Sequence, residues 1–252
     1  MHAARRTHRT RTAAALAAAA VLLGAVTTAC GGKGGADGDG TAPDDKQAKA
    51  SAPAQTYATD ADLPESLAPD GTTVRVGSPD AKTVVHVYED MRCPVCERFE
   101  TQGGGEALRE MVRSGQVRAE YTLASFLDDK LGGQGSKKAA NALRAALDAG
   151  RFVELHDALF AHQPDESVDG YTDAFLLRTA SQVPGLRGAG FDAAVKGMKH
   201  RSFVSASEKA FDTSGATGTP TLKVNGKIVP QNLANGIFDK TSFPMVIGSM
   251  SQ

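Results

Sequence analysis

Beyond about position 70 the chain shows two kinds of hydrophobic pattern. Residues 72–77 (TTVRVG) and 82–89 (KTVVHVYE) are short β-branched, apolar runs with a Ser-Pro-Asp turn between them, and both predict strands. The second is nearly continuous in apolar character, as in a central strand buried on both faces. It runs directly into Cys93, after which the period changes. Leu108, Met111 and Val112 keep helical spacing up to Ser114-Gly115, while Gly103, Gly104 and Gly105 predict a break in that helix. Residues 116–126 (QVRAEYTLASF) predict a third strand, completing a β-α-β unit.

The middle of the chain reads as helical. Leu143, Ala146 and Leu147 share one face and Gly150 ends that helix. Phe152, Leu155, Leu159 and Phe160 form an amphipathic stripe, Phe175, Leu176 and Ala180 another, and Phe191, Ala194, Val195 and Met198 a fourth. A helix near 203–211 precedes "GATGTPTLKVNGKIVP", where residues 221–224 and 227–229 predict short strands around the hairpin dipeptide Asn225-Gly226. A last short helix is expected over 242–249. The fold class is therefore α/β: a βαβ half and a ββα half, with a helical insertion at about 136–200 inside a folded domain of 71–252.

The N-terminus has a different composition. Arg5, Arg6, Arg9 and Arg11 precede an uncharged apolar run, residues 13–26. That run falls short of the ~20 residues a spanning helix needs, and residues 1–30 read as a signal peptide. It ends in "VTTAC", which resembles a bacterial lipobox with Cys30 as the lipidated residue, although Thr27 stands where that pattern carries an aliphatic residue. Arg5-Arg6 is a weak twin-arginine signal, since Thr7 and His8 follow where an apolar pair is expected. Residues 31–70 are rich in Gly, Ala, Asp and Pro and predict a flexible tether. About 40 such residues have a root-mean-square reach near 35 Å. A formal net charge of −1 gives no electrostatic case for a nucleic-acid partner.

Three cysteines remain to be explained: Cys30, Cys93 and Cys96. Lipidation would account for the first; cleavage nearby, leaving Cys30 free or removing it, is the alternative. Cys93 and Cys96 are expected at a helix N-terminus, where free N–H groups and the helix dipole favour a thiolate. Pro94 suits the first turn, and Arg92 is expected to add positive charge. In such pairs the first thiol is usually the exposed, low-pKa nucleophile. A zinc site would need about four ligands, and no second Cys pair or His cluster is present. A structural disulfide across so short a loop would constrain little. His86 reads as a packed strand residue, and His156 and His162 as surface or packing residues.

"YEDMRCPVC", the helical block and "GTPTLKVNG" together resemble the DsbA-like family of extracytoplasmic thiol–disulfide oxidoreductases, which have a thioredoxin-like fold with a helical insertion. The resemblance spans most of the folded chain. It implies Cys93 as the attacking cysteine, Cys96 as its resolving partner and Pro220 as a cis-proline facing them. Thr219, with Pro94 and Val95, would meet an extended substrate peptide. It further implies cysteine-containing exported proteins as substrates, a membrane redox partner that resets the disulfide, no cofactor or metal, a monomer, and a lipid-anchored place on the outer side of the cell membrane. Oxidation of dithiols is the expected direction; a tethered reductase and a redox-silent peptide-binding module are the alternatives. One departure stands out. The family often has a buried acid six residues before the first cysteine, where this chain has Val87. By spacing neither Glu89 nor Asp90 replaces it, so a site without that charge is expected.

Overall fold

The computed structural model describes residues 55–251. The signal segment, Cys30 and the tether as far as residue 54 lie outside the described residues. Six strands form one sheet in the order β1-β2-β4-β3-β5-β6: β1 Glu65–Leu67, β2 Val74–Val76, β3 Thr83–Asp90, β4 Val117–Ala124, β5 Thr221–Val224 and β6 Lys227–Ile228. β3 and β4 are parallel and joined by a crossover, α1 Pro94–Thr101 and α2 Gly104–Arg113; the other pairings are antiparallel. β3 is central, with Val87 opposite Tyr121 on one side and Leu222 on the other. Val85, Val87, Glu89 and Asp90 have no exposed surface, as the near-continuous apolar run predicted.

The insertion consists of α3 Phe126–Leu131, α4 Gly135–Leu147, α5 Phe152–Ala161, α6 Asp173–Ala180 and α7 Ala189–Lys196. It is followed by α8 Arg201–Asp212, and the chain closes with α9 Ser242–Met250. α8 lies on β4, where Tyr88, Ala124 and Phe211 make a small cluster. The larger core joins Val87, Phe99, Leu108, Leu143, Phe152 and Phe243. Most of the apolar stripe of α4 and α5 is buried, which explains the helical spacing of those positions.

The glycine triplet breaks the crossover where expected, between α1 and α2. Gly103 has φ of 118°, a left-handed value that favours glycine, and a Cβ on Gly104 would lie 2.0 Å from the Ile237 carbonyl oxygen.

Two boundaries differ from the sequence reading. Ordered structure begins before position 71: a 3-10 turn at Asp60–Asp62 and strand β1 lie where tether was expected. Leu63 and Ala68 are buried, and the Glu65 carboxylate accepts the N–H groups of Phe152 and Val153 at 2.8 Å each, capping α5. A three-residue strand is too short to carry a periodic signal. The third predicted strand also stops at Ala124. Phe126, read as its last residue, opens the short helix α3.

Candidate active site

Cys93 and Cys96 lie at the corner where β3 passes into α1. Cys93 is the N-cap of that helix and Pro94 occupies its first turn. Both cysteines are free thiols. Cys93 is 7% exposed and Cys96 is wholly buried, so the first cysteine is the more accessible, by a small margin. Pro94 and Val95 are exposed between them, Val95 at 40%. From the far end of the chain Thr219 reaches the same place: the Cys93 thiol donates to the Thr219 carbonyl at 3.3 Å. The Thr219-Pro220 peptide bond is cis. A groove of about 330 Å³ runs from there along Gly218, Thr221, Leu222, Ile228 and Val229.

The two thiols are held at opposite ends of the pKa scale. A hydrogen bond from the Cys96 thiol outweighs the burial of Cys93. With help from Thr219 and the N–H groups of Cys96 and Val95, it lowers Cys93 to about 6. The Thr219 hydroxyl is buried with no hydrogen-bond partner among the described residues. Burial pushes Cys96 well above the ordinary thiol range, and the charges of Cys93 and Glu89 push in the same direction.

Arg92 does not contribute as expected. Its side chain is 2% exposed and turned away, donating to Asp128 Oδ1 (3.0 Å) and to the carbonyls of Gly132 (2.8 Å) and Glu166 (2.9 Å). A buried guanidinium needs acceptors, and the insertion supplies them. The corner is gripped from the same direction by Gln163, which donates to the carbonyls of Met91 and Cys93, and by the Tyr171 hydroxyl, which donates to Met91. Asp90 accepts from Ser136 Oγ and from the N–H groups of Arg92 and Leu127.

The expectation of a site without a buried acid is overturned. Val87 does occupy the family position, but Glu89 is on the same face of β3 two residues nearer the cysteines, wholly buried, and its charge acts on Cys96. Counting back from Cys93 missed it because a strand repeats its facing every two residues. His156, read as a surface or packing residue, is 2% exposed and pairs with Glu89, Nε2 to Oε1 at 2.5 Å. His86 is a packed strand residue, stacked on Tyr88, and His162 is exposed. Among the described residues one group, Glu89, Glu100 and His156, brings ligand-type atoms within 4.8 Å of one another. The cations in that group are the protein's own: Arg109 bonds Glu100 Oε2 at 3.2 Å, and His156 is bonded to Glu89.

A thioredoxin-type sheet, a Cys-Pro-x-Cys pair at a strand-to-helix corner and a cis-proline facing it define the class, the DsbA-like thiol–disulfide oxidoreductases. The chain belongs to the thioredoxin family: the family model described as Thioredoxin matches residues 69–240. It is 26% identical over 159 residues to Disulfide bond formation protein D of Bacillus subtilis, covering 61% of this chain and 68% of that one. It is 31% identical over 170 residues to the Na(+)/H(+) antiporter NhaA 3 of Salinispora tropica, covering 66% of this chain but 23% of the antiporter. Among solved structures it resembles the reduced form of the disulfide bond oxidoreductase DsbG from Mycobacterium tuberculosis, with a TM-score of 0.54 and 26% identity over 71% of this chain and 93% of that one. Among the described residues no helix is long and apolar enough to cross a membrane.

Proposed function

We propose that the protein oxidises dithiols of exported proteins outside the cytoplasm, through a Cys93–Cys96 disulfide. The observation that carries this reading is the separation of the two thiols, Cys93 lowered to about 6 and Cys96 raised. A stabilised Cys93 thiolate favours the reduced enzyme, which makes its disulfide the stronger oxidant. A substrate thiolate attacks Cys93 Sγ. The Cys93–Cys96 bond breaks, a mixed disulfide forms, and Cys96 leaves and takes a proton. A second substrate thiolate then attacks the substrate sulfur of the mixed disulfide, and Cys93 leaves as a thiolate. The substrate loses two electrons and the enzyme gains them. An oxidising membrane partner restores the disulfide. Thr219, Pro220 and the groove beside them offer backbone groups to an extended peptide, a mode that gives affinity with little side-chain selection. Cys30, lipidated, would hold the domain at the outer face of the cell membrane, and a monomer is sufficient for this chemistry.

Equilibration of the full chain with glutathione buffers tests the direction. A potential well above that of thioredoxin, about −270 mV, is expected; a value near it would assign the protein to the reductases. Cys96→Ser should accumulate mixed disulfides and Cys93→Ser none; full exchange in Cys93→Ser would remove Cys93 from the attacking role, and no exchange by the wild-type chain would leave only a peptide-binding role. Cys30→Ala should release the protein from membranes, and unchanged retention would count against the anchor.

A further inference from the structure

Glu89 on β3, Glu100 on α1 and His156 on α5 each bring one ligand-type atom into a group whose members all lie within 4.8 Å of one another. Neither cysteine belongs to it. None of the three residues is more than 3% exposed. Glu89 Oε1 bonds His156 Nε2 at 2.5 Å, and Arg109 Nη1 donates to Glu100 Oε2 at 3.2 Å and to Asp157 Oδ1 at 3.0 Å. Tyr121, Phe152 and Phe160 pack around the imidazole. Beside the group Glu100, Arg109 and Asp157 line a cavity of about 490 Å³, together with Asp60 and Glu106, and the Asp157 side chain is 32% exposed.

Two observations point to a missing partner. Glu89 Oε2 and Glu100 Oε1 are buried and accept no hydrogen bond among the described residues. A buried carboxylate oxygen in that position is costly unless a donor, a proton or a cation meets it. The second observation is charge. Glu89, Glu100 and Asp157 against His156 and Arg109 leave one negative charge. A divalent cation that takes the place of the His156 proton adds two positive charges and removes one, and the cluster becomes neutral. Arg109 can stay, since it bonds Oε2 of Glu100 and leaves Oε1 free. The donor set then selects the ion. Imidazole with carboxylates suits zinc and its first-row neighbours, whereas calcium and magnesium take oxygen ligands. Ligand atoms around a tetrahedral zinc lie about 3.4 Å apart. That spacing falls between the 2.5 Å of the Glu89–His156 pair and the 4.8 Å limit of the group. The other ring nitrogen, Nδ1, faces Asp157 Oδ1 at 3.7 Å, the kind of carboxylate that orients a metal-bound imidazole.

We propose that Glu89, Glu100 and His156 are a binding site for a divalent transition-metal cation, zinc above all, which ties the helical insertion to the thioredoxin-like core. Glu89 Oε2, Glu100 Oε1 and His156 Nε2 are the protein ligands, and water from the cavity takes the fourth position. Before the ion binds, His156 keeps its proton and pairs with Glu89. As the ion enters, that proton leaves and the Glu89–His156 bond gives way to a bond from each residue to the metal. β3 and α1 belong to the βαβ half and α5 to the insertion, so the ion cross-links two parts of the fold that are distant in sequence. Its binding free energy adds to the stability of the folded chain. The site needs neither thiol and stands independently of the disulfide-exchange reading.

Thiolates also bind zinc, so the test uses the full chain with Cys93 and Cys96 joined as a disulfide. The chain, stripped with a chelator, is titrated with zinc by calorimetry and with cobalt(II) by visible absorption. One equivalent should bind, the cobalt form should show no thiolate-to-metal band, and the midpoint of thermal unfolding should rise with zinc concentration. Glu100→Gln and His156→Gln should each weaken zinc binding by more than about tenfold and abolish the rise in midpoint. No binding to the disulfide form, binding that appears only after reduction, or an affinity unchanged in both variants would each overturn the proposal. Where a variant fails to fold, the His156 ring resonances of the wild-type chain decide in its place: they should shift with one equivalent of zinc, and rings that do not move overturn the site equally. A chain that forms no Cys93–Cys96 disulfide would instead sink the exchange reading, and Cys93→Ser/Cys96→Ser would then carry the same titration.

Discussion

Glu89 and Asp90 are consecutive residues at the end of β3, both without exposed surface, and strand geometry sends them to opposite faces of the sheet. Asp90 meets neutral donors, the Ser136 hydroxyl and two backbone N–H groups, which together occupy both its oxygens. Glu89 meets one charged partner, His156, and keeps its second oxygen unpaired. Equal burial therefore serves different ends. The Asp90 side ties the active-site corner to α3 and α4, whereas the Glu89 side pairs with His156 of α5 and leaves one carboxylate oxygen without a partner among the described residues. What a buried acid does is decided by the kind and number of its partners more than by its depth.

The largest expected effect separates the two residues by stability. Asp90→Ala leaves the Ser136 hydroxyl and the N–H groups of Arg92 and Leu127 without their acceptor. Each unpaired buried group costs roughly 1–3 kcal/mol. Burial already raises Asp90 to about 7 against those donors, so the charge it removes returns part of this. A net loss of about 3 kcal/mol is expected in denaturant unfolding. A loss under about 1 kcal/mol would mean that the corner is held by Arg92, Gln163 and Tyr171 without Asp90.

Glu89→Gln should alter the pH dependence of stability instead. Burial alone would depress His156, but the Glu89 charge and the neighbouring acids raise it to about 10 from 6.5. A group raised on folding contributes stability that is complete below its unfolded pKa and is lost as pH rises through its folded pKa. The wild-type chain should therefore lose this contribution between about pH 6.5 and pH 10, and Glu89→Gln should lack most of it throughout. The variant's deficit in unfolding free energy should be larger near pH 6 than near pH 10, by about 2 kcal/mol. Parallel curves for the two proteins would show that His156 is not held charged by Glu89.

How much of this was legible in the sequence depends on the kind of signal. β3, the two cysteines, the broken crossover and the Asn225-Gly226 hairpin are carried by local periodicity or by residue types with one strong conformational meaning. β1 is three residues long and is recognised only through its pairing with β2 and the Glu65 cap on α5, both set by tertiary contact. Arg92 was read from its place beside Cys93, yet a side chain that long answers to acceptors 40 and 74 positions away. Glu89 was within reach: a strand ending at Asp90 puts positions 87 and 89 on one face, and an acid there had to find a partner or stay neutral. His156 was not, because nothing in α5 states which strand residue its ring will meet.

The smallest expected effect concerns Cys93, which stands apart from both acids. Its low pKa comes from the Cys96 thiol, from Thr219 and from the N–H groups of the first helical turn; neither Glu89 nor Asp90 is among the main causes. With a pKa of about 6, the thiolate fraction falls from roughly 0.9 at pH 7 to roughly 0.1 at pH 5. The rate at which reduced enzyme attacks glutathione disulfide should therefore drop about tenfold over that range, near 1.4 kcal/mol. The same thiolate makes the reduced fold more stable above the ordinary thiol range, and that gain is lost as pH falls through about 6. Glu89→Gln should leave this attack profile in place, and Asp90→Ala should leave it in place in whatever fraction remains folded. A profile displaced by Glu89→Gln would show that the Glu89 charge acts on Cys93 as well as on Cys96.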